Sequence, residues 1–190
     1  MQPFSLQKKR DYYTEREIDL AKILVRSARR DEAKTIADLL SRCQWFTYGE
    51  LFTDAYIVRL IENYYNVERI EQEVTTIDKS WHGYIVAEKK GTLLGVIGGG
   101  MRNETDAEIY VFYVDPDTRG NGIGSRLLSF YTKIQKHTYG ADRQWVSVAK
   151  GNMYGIPFYE AKGFSFKREE ISYGAAVEDK DISLVYTRPI

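Results

Sequence analysis

The chain has 190 residues, with 27 basic and 27 acidic side chains, 43% hydrophobic and 14% aromatic residues, four prolines and one cysteine. That length fits a single domain able to bury a core, and the aromatic content argues against a disordered chain. Zero formal net charge removes the basic footprint of a nucleic-acid binder, and one cysteine with two histidines can build neither an internal disulfide nor the usual structural zinc sets.

Residues 1–20 mix four basic with four acidic groups and little apolar periodicity, and read as an N-terminal extension to a domain spanning 21–190. Its Lys8-Lys9-Arg10 cluster is balanced by neighbouring acids and reads as a solvated face. No stretch resembles the apolar part of a signal sequence, and nowhere do roughly 18 apolar residues run together. The expectation is a soluble, cytoplasmic protein with no membrane partner.

Ile23-Leu24-Val25 predicts a first strand, and Asp31 is placed to cap a helix in which Ile36, Leu39, Leu40 and Cys43 recur at i, i+3, i+4 and i+7. Cys43 completes that stripe and reads as core, not as a nucleophile. Residues 45–65 predict a second helix with Leu51, Tyr56, Leu60 and Tyr64 along one side, and Asn66 caps a third carrying Val67, Ile70 and Val74. Residues 84–88 and 93–98 flank a Lys-Lys-Gly-Thr turn as a hairpin, which Gly98-Gly99-Gly100 ends.

The strongest strand signal is 108–115, stopped by Pro116, which lacks the amide a ladder needs. A helix follows with Leu127, Leu128, Tyr131 and Ile134 on its apolar side. Then come a strand over 145–149, a short helix over 154–162 that Pro157 can delay or kink, and strands over 164–173 and 182–187. The last of these can pair across a homodimer. His82 and His137 carry no motif and read as surface or packing residues.

Asp115-Pro116-Asp117-Thr118-Arg119-Gly120-Asn121-Gly122-Ile123-Gly124 runs from a strand through a tight turn into a helix. The first amides of a helix lack intrahelical acceptors and sit at the positive end of its dipole, so side-chain-free residues there let phosphate oxygens approach. A P-loop would need a lysine after the last glycine, where Ser125-Arg126 stands. A dinucleotide fingerprint would need glycine at position 125 and an acid about 20 residues on.

Arg119-x-x-Gly122-x-Gly124 after Phe112-Tyr113-Val114-Asp115-Pro116 resembles the pyrophosphate-binding motif of the GNAT superfamily of N-acetyltransferases. The later Asn152, Phe158-Tyr159-Glu160 and Gly163-Phe164 match that superfamily's second segment at its spacing. The resemblance implies an α/β (α+β) fold, a mixed central β-sheet flanked by helices in a single domain, with acetyl-CoA as co-substrate and no metal. It implies that Arg119, Gly120, Asn121, Gly122, Ile123 and Gly124 hold the pyrophosphate. Phe112, Tyr113 and Val114 would pair with the pantetheine arm through their backbone, a bulge there would aim an amide at the thioester oxygen, and Asn152 would hydrogen-bond the arm.

Tyr159 matches the superfamily's general acid. Glu108 stands where a base, direct or through water, is supplied, with Tyr110 as second candidate, since strict alternation puts Glu108, Tyr110, Phe112 and Val114 on one face. The acceptor would be a primary amine, either a small one such as a polyamine or a peptide or protein amine. It would be received by the aromatic segment 45–75, with Glu50, Asp54, Glu62 and Glu68, and by the last hairpin. The rival is a non-catalytic acyl-CoA-binding sensor or regulatory module, against which Glu108 and Tyr159 both weigh.

Overall fold

A computed structural model of the chain describes residues 22–179 and 181–190, so the extension read over 1–20 lies outside the described residues. The strands are β1 (Leu24–Ser27), β2 (Tyr84–Lys89), β3 (Thr92–Met101), β4 (Asp106–Val114), β5 (Arg143–Ala149), β6 (Ser165–Ile171) and β7 (Ile182–Pro189). They form one sheet in the order β1-β2-β3-β4-β5-β7-β6, parallel at β4–β5 and antiparallel elsewhere. The helices are α1 (Ala33–Tyr48), α2 (Asp54–Tyr64), α3 (Val67–Thr75), α4 (Ile123–His137) and α5 (Gly155–Ala161).

The two faces of the sheet bury separate clusters. Leu127, Leu128 and Tyr131 of α4, with Tyr159 of α5, pack on Ile97, Ile109, Val146 and Val148. Ile36, Leu40 and Cys43 of α1, with Ile70 of α3, pack on Val86, Val96 and Val111. The predicted mixed sheet flanked by helices in a single domain is therefore present, with several local differences. Asp31 lies in a short 3-10 turn (Arg30–Glu32) and caps nothing; α1 begins after it, and Glu32 instead accepts from the Arg29 amide at 2.8 Å. Residues 45–48 extend α1, and the second helix starts only at Asp54, where Thr53 Oγ1 accepts from the Tyr56 amide at 3.3 Å. It buries Tyr56 and Ile57, while Leu51 stays exposed outside it.

Gly98, Gly99 and Gly100 do not end the hairpin but continue β3. A Cβ on Gly99 would strike the Glu108 carbonyl, and one on Gly100 the Ser80 carbonyl, so the strand needs bare backbone there. Pro157 is the third residue of α5, in the first turn, where its missing amide costs no intrahelical bond. β7 lies between β5 and β6, so both its edges are used and it cannot pair across a homodimer; the free edges belong to β1 and β6.

Two features of β4 create the site. Gly98 faces Val111 but Gly99 faces Ile109, so Tyr110 is an extra, bulged residue. The bulge inverts the alternation beyond it: Ile109, Phe112 and Val114 pack towards α4 and α5, Val111 and Tyr113 towards α1. Glu108, the neighbour of Ile109, therefore does not share a face with Phe112 and Val114, against strict alternation, and the bulge lies at Tyr110, not within 112–114. Secondly, β4 pairs with β5 only from Asp106–Arg143 to Ile109–Val146. Past Ile109 the strands part and the sheet opens.

Candidate active site

The opening is a cleft of about 550 Å³ lined by β4 and β5, the start of α4, the end of α1 and the segment leading into α5. Phe112, Tyr113, Val114, Arg119, Gly120, Gly122, Ile123, Gly124, Asn152 and Tyr159 all line it, together with Tyr110. Asn121 and Glu108 do not.

The glycine turn is built by local chemistry. Asp115 Oδ1 accepts from the Asp117 amide at 3.0 Å, Pro116–Thr118 forms a 3-10 turn, and Gly120 (φ +81°) and Gly122 (φ +74°) take left-handed backbone conformations that side chains disfavour. The α4 ladder starts with the Arg126 amide bonding the Gly122 carbonyl at 3.1 Å, so amides 123–125 precede it and belong to the helix's positive end. Ile123 buries its side chain in the core and offers only its amide. Asn121 turns inward on the loop, its Nδ2 donating to the Thr118 carbonyl at 3.0 Å, so it braces the turn.

Arg119 is held from three sides. Its Nε donates to the Val114 carbonyl at 3.3 Å and Nη2 to Thr47 Oγ1 at 3.2 Å, while its guanidinium lies 4.6 Å from the centres of both the Phe46 and Tyr154 rings. Its Nη1 is buried and has no partner among the described residues. A buried donor left unpaired costs about 1–3 kcal/mol, and an anion in the cleft beside the α4 amides would remove that cost. The residues present thus fit a pyrophosphate.

Beyond Ile109, β4 has no strand on its β5 side, leaving an edge for an extended ligand to join. The Tyr113 side chain turns towards α1, where its hydroxyl accepts from Gln44 Nε2 at 2.7 Å, and Val114 spends its carbonyl on Arg119 and the Cys43 thiol. Asn152 Oδ1 accepts from the Tyr154 and Gly155 amides at 3.0 and 2.8 Å, turning the chain into α5. Its Nδ2 approaches the Tyr48 hydroxyl at 3.4 Å and is the part of the side chain left for a ligand.

Tyr159 is 6% exposed, its ring set edgewise among Phe158 and Phe164. Burial pushes its hydroxyl well above the ordinary phenol range, so it keeps its proton. Glu108 sits at the closed end of the split. Its Oε2 is 3.3 Å from Arg102 Nε, and its Oε1 accepts from Ser147 Oγ at 3.5 Å; Ser147 does line the cleft. Burial raises the Glu108 carboxyl above the usual range and Arg102 opposes the rise. Cys43 is fully buried, its thiol pushed up to about 11 by burial, which makes it an unreactive core group. His82 is a packing residue stacked 3.5 Å from the Tyr139 ring.

Thr47, Tyr48, Ser147 and Arg102 are the site residues that motif reading missed. Thr47 and Tyr48 reach the cleft because α1 runs past the expected helix start at residue 45. Ser147 was within reach of strand periodicity, since Val146 and Val148 on either side of it are core.

The Acetyltransferase (GNAT) family model matches residues 45–164. Mycothiol acetyltransferase of Thermobispora bispora is 29% identical over 97 residues, covering 48% of this chain and 32% of that protein, so the match spans about a third of the relative's length. Among solved structures, PaiA N-acetyltransferase from Thermoplasma acidophilum in complex with coenzyme A superposes with a TM-score of 0.74 at 22% identity, covering 88% of this chain and 99% of that one. Ard1 from Thermoplasma volcanium gives 0.63 at 18%, covering 89% and 98%. The ribosomal-protein-S18-alanine N-acetyltransferase from Escherichia coli gives 0.64 at 15%, covering 88% and 94%. At such identities these likenesses show a shared fold. No helix among the described residues is long and apolar enough to cross a membrane.

Proposed function

The chain belongs to the GNAT acetyltransferase family, and from that premise we propose that it transfers the acetyl group of acetyl-CoA directly to the nitrogen of a primary amine. The observation that carries this reading is one cleft lined by two unlike groups. Arg119, whose Nη1 has no partner among the described residues, lines it together with the first residues of α4, and so does the buried phenol of Tyr159, which retains its proton.

In this reading the amides of the glycine turn and Arg119 Nη1 hold the pyrophosphate, the open edge of β4 holds the pantetheine arm, and Asn152 Nδ2 steadies it. Acetyl-CoA supplies the activated acyl carbonyl. The amine must arrive at it neutral, and for an alkyl amine of pKa about 10.4 that costs roughly 4–5 kcal/mol at pH 7. Glu108 takes the proton, directly or through water, with Ser147 steadying its Oε1. Nitrogen gains the acyl carbon, the carbon–sulfur bond breaks, and Tyr159 gives the departing sulfur a proton. Of the two protons an ammonium loses on becoming an amide, one ends on sulfur and one reaches solvent. Cys43, packed in the core, takes no acyl group.

The acceptor class is a small cationic amine such as a polyamine, or a peptide or protein amine. The support is charge: Glu50, Asp54, Glu62 and Glu68 all stay exposed, just past α1 and on α2 and α3, and the aromatic Tyr48 that ends α1 lines the cleft. A panel of polyamines, amino acids and peptides, scored by thiol release and product mass, tests the reading. Acetylation of one class is the expected result, and cofactor binding without turnover on any of them contradicts it.

A further inference from the structure

We propose that Arg102 is a gate on Glu108: it occupies the carboxylate in the free enzyme and surrenders it to the acceptor's ammonium group. This rests on Glu108 being the base of the proposed reaction.

Arg102 sits on the turn between β3 and β4, which is tied down by the Arg102 amide donating to the Asp106 carbonyl at 2.7 Å and by Asn103 Oδ1 accepting from the Asp106 amide at 2.8 Å. From that fixed base the guanidinium lies 4.9 Å from the Trp145 ring centre, with Nε 3.3 Å from Glu108 Oε2. The arginine side chain is 31% exposed and the carboxylate 17%, so the cation is the more open of the two. The charged and titratable groups acting on Glu108 are Arg102 from the turn, Arg168 and Glu170 from β6, and Tyr110 on its own strand; Ser147 of β5 adds a hydroxyl. Arg168 is already paired with Glu170 at 2.7 Å. Compensation of Glu108 therefore falls to Arg102.

The pair is built to be exchanged. At 3.3 Å it is longer than the about 2.7–2.9 Å of a tight charge-assisted bond, and the guanidinium keeps its seat on Trp145 when the carboxylate is taken away. An incoming ammonium replaces one positive charge with another, so Glu108 is never left buried and uncompensated. A neutral or anionic acceptor has no such exchange to offer. The gate thereby selects cationic acceptors and keeps Glu108 ionised until one arrives.

The test is the pH dependence of kcat/KM for one accepted amine at saturating acetyl-CoA, in wild type, Arg102→Gln, Arg102→Lys and Glu108→Gln. Removing the positive charge raises the affinity of Glu108 for a proton, so Arg102→Gln should move the acid limb upward by about one pH unit. Above that limb it should also lower the amine KM by about threefold or more, having lost the competing cation. Arg102→Lys should restore the wild-type limb, which mere support of the turn would not require. An unmoved limb in Arg102→Gln, or an equal shift in Arg102→Lys, overturns the gate. A Glu108→Gln profile that keeps the wild-type acid limb overturns the base assignment itself, and the gate with it.

Discussion

In the proposed reaction Tyr159 and Arg119 carry opposite kinds of work, and their surroundings differ accordingly. Tyr159 is packed among rings that exclude water and keep its proton in place, which suits a donor to a developing thiolate. Tyr159→Phe leaves that packing intact and removes only the hydroxyl, so kcat should fall about 10²-fold while the KM for acetyl-CoA stays near its wild-type value. Steady-state kinetics with both substrates varied checks this; an unchanged kcat would remove Tyr159 from the mechanism. Arg119 is the proposed pyrophosphate-binding group, and its planar head lies over the Phe46 and Tyr154 rings while two nitrogens are spent on Val114 and Thr47. Lysine cannot reproduce that fork, so Arg119→Lys should weaken coenzyme A binding about tenfold, or about 1.4 kcal/mol, by calorimetric titration.

The turn into α4 separates backbone strain from ligand clearance. Gly122 sits at φ +74°, where a Cβ costs about 1 kcal/mol, so Gly122→Ala should lower Tm by about 2–4 °C. Gly124 has no positive φ, and a Cβ there would make only ordinary contact with the Phe158 ring at 3.4 Å. Gly124→Ala should leave Tm unchanged and, on the proposed pyrophosphate site, weaken coenzyme A binding, because the methyl group would intrude on the phosphate's approach to the amides; thermal melts and titrations of the pair check both. This turn was readable in the sequence because its chemistry is contiguous: strand, proline, arginine and spaced glycines follow one another. The bulge at Tyr110 was not, since an extra residue in a strand leaves the apolar pattern almost intact while inverting which side chains share a face. For the same reason Glu108 was placed with Phe112, and the Arg102 pair, which depends on a turn closing over the end of β4, could not be seen. Gly98-Gly99-Gly100 looked like a terminus because glycine weakens strands; only the approach of two carbonyls from elsewhere explains its place inside β3.

Across the molecule, one sheet separates two cores and then splits between β4 and β5, which puts the open edge of β4 and the glycine turn on one cleft, with Glu108 in the part of the strands that stays paired. The overall plan was readable because each apolar stripe belongs to one element, whereas the strand order, with β7 inserted between β5 and β6, depends on long-range pairing. Stability has its own pH dependence. His82 is 5% exposed, its Nε2 has no partner among the described residues, and burial lowers its pKa from 6.5 to about 4. A histidine depressed on folding contributes stability that is fully present above its unfolded value and is lost as the pH falls from 6.5 towards 4, on the order of 2 kcal/mol. Urea midpoints between pH 7 and 4.5 should fall more steeply for wild type than for His82→Gln. The most direct measurement of the proposed chemistry is intact-mass analysis of both protein and acceptor after mixing with acetyl-CoA and the amine panel. Direct transfer predicts one acetyl group on the amine nitrogen, released coenzyme A in equal amount and an unmodified protein. Acetyl retained on the protein, or coenzyme A bound without any acceptor modified, would contradict it.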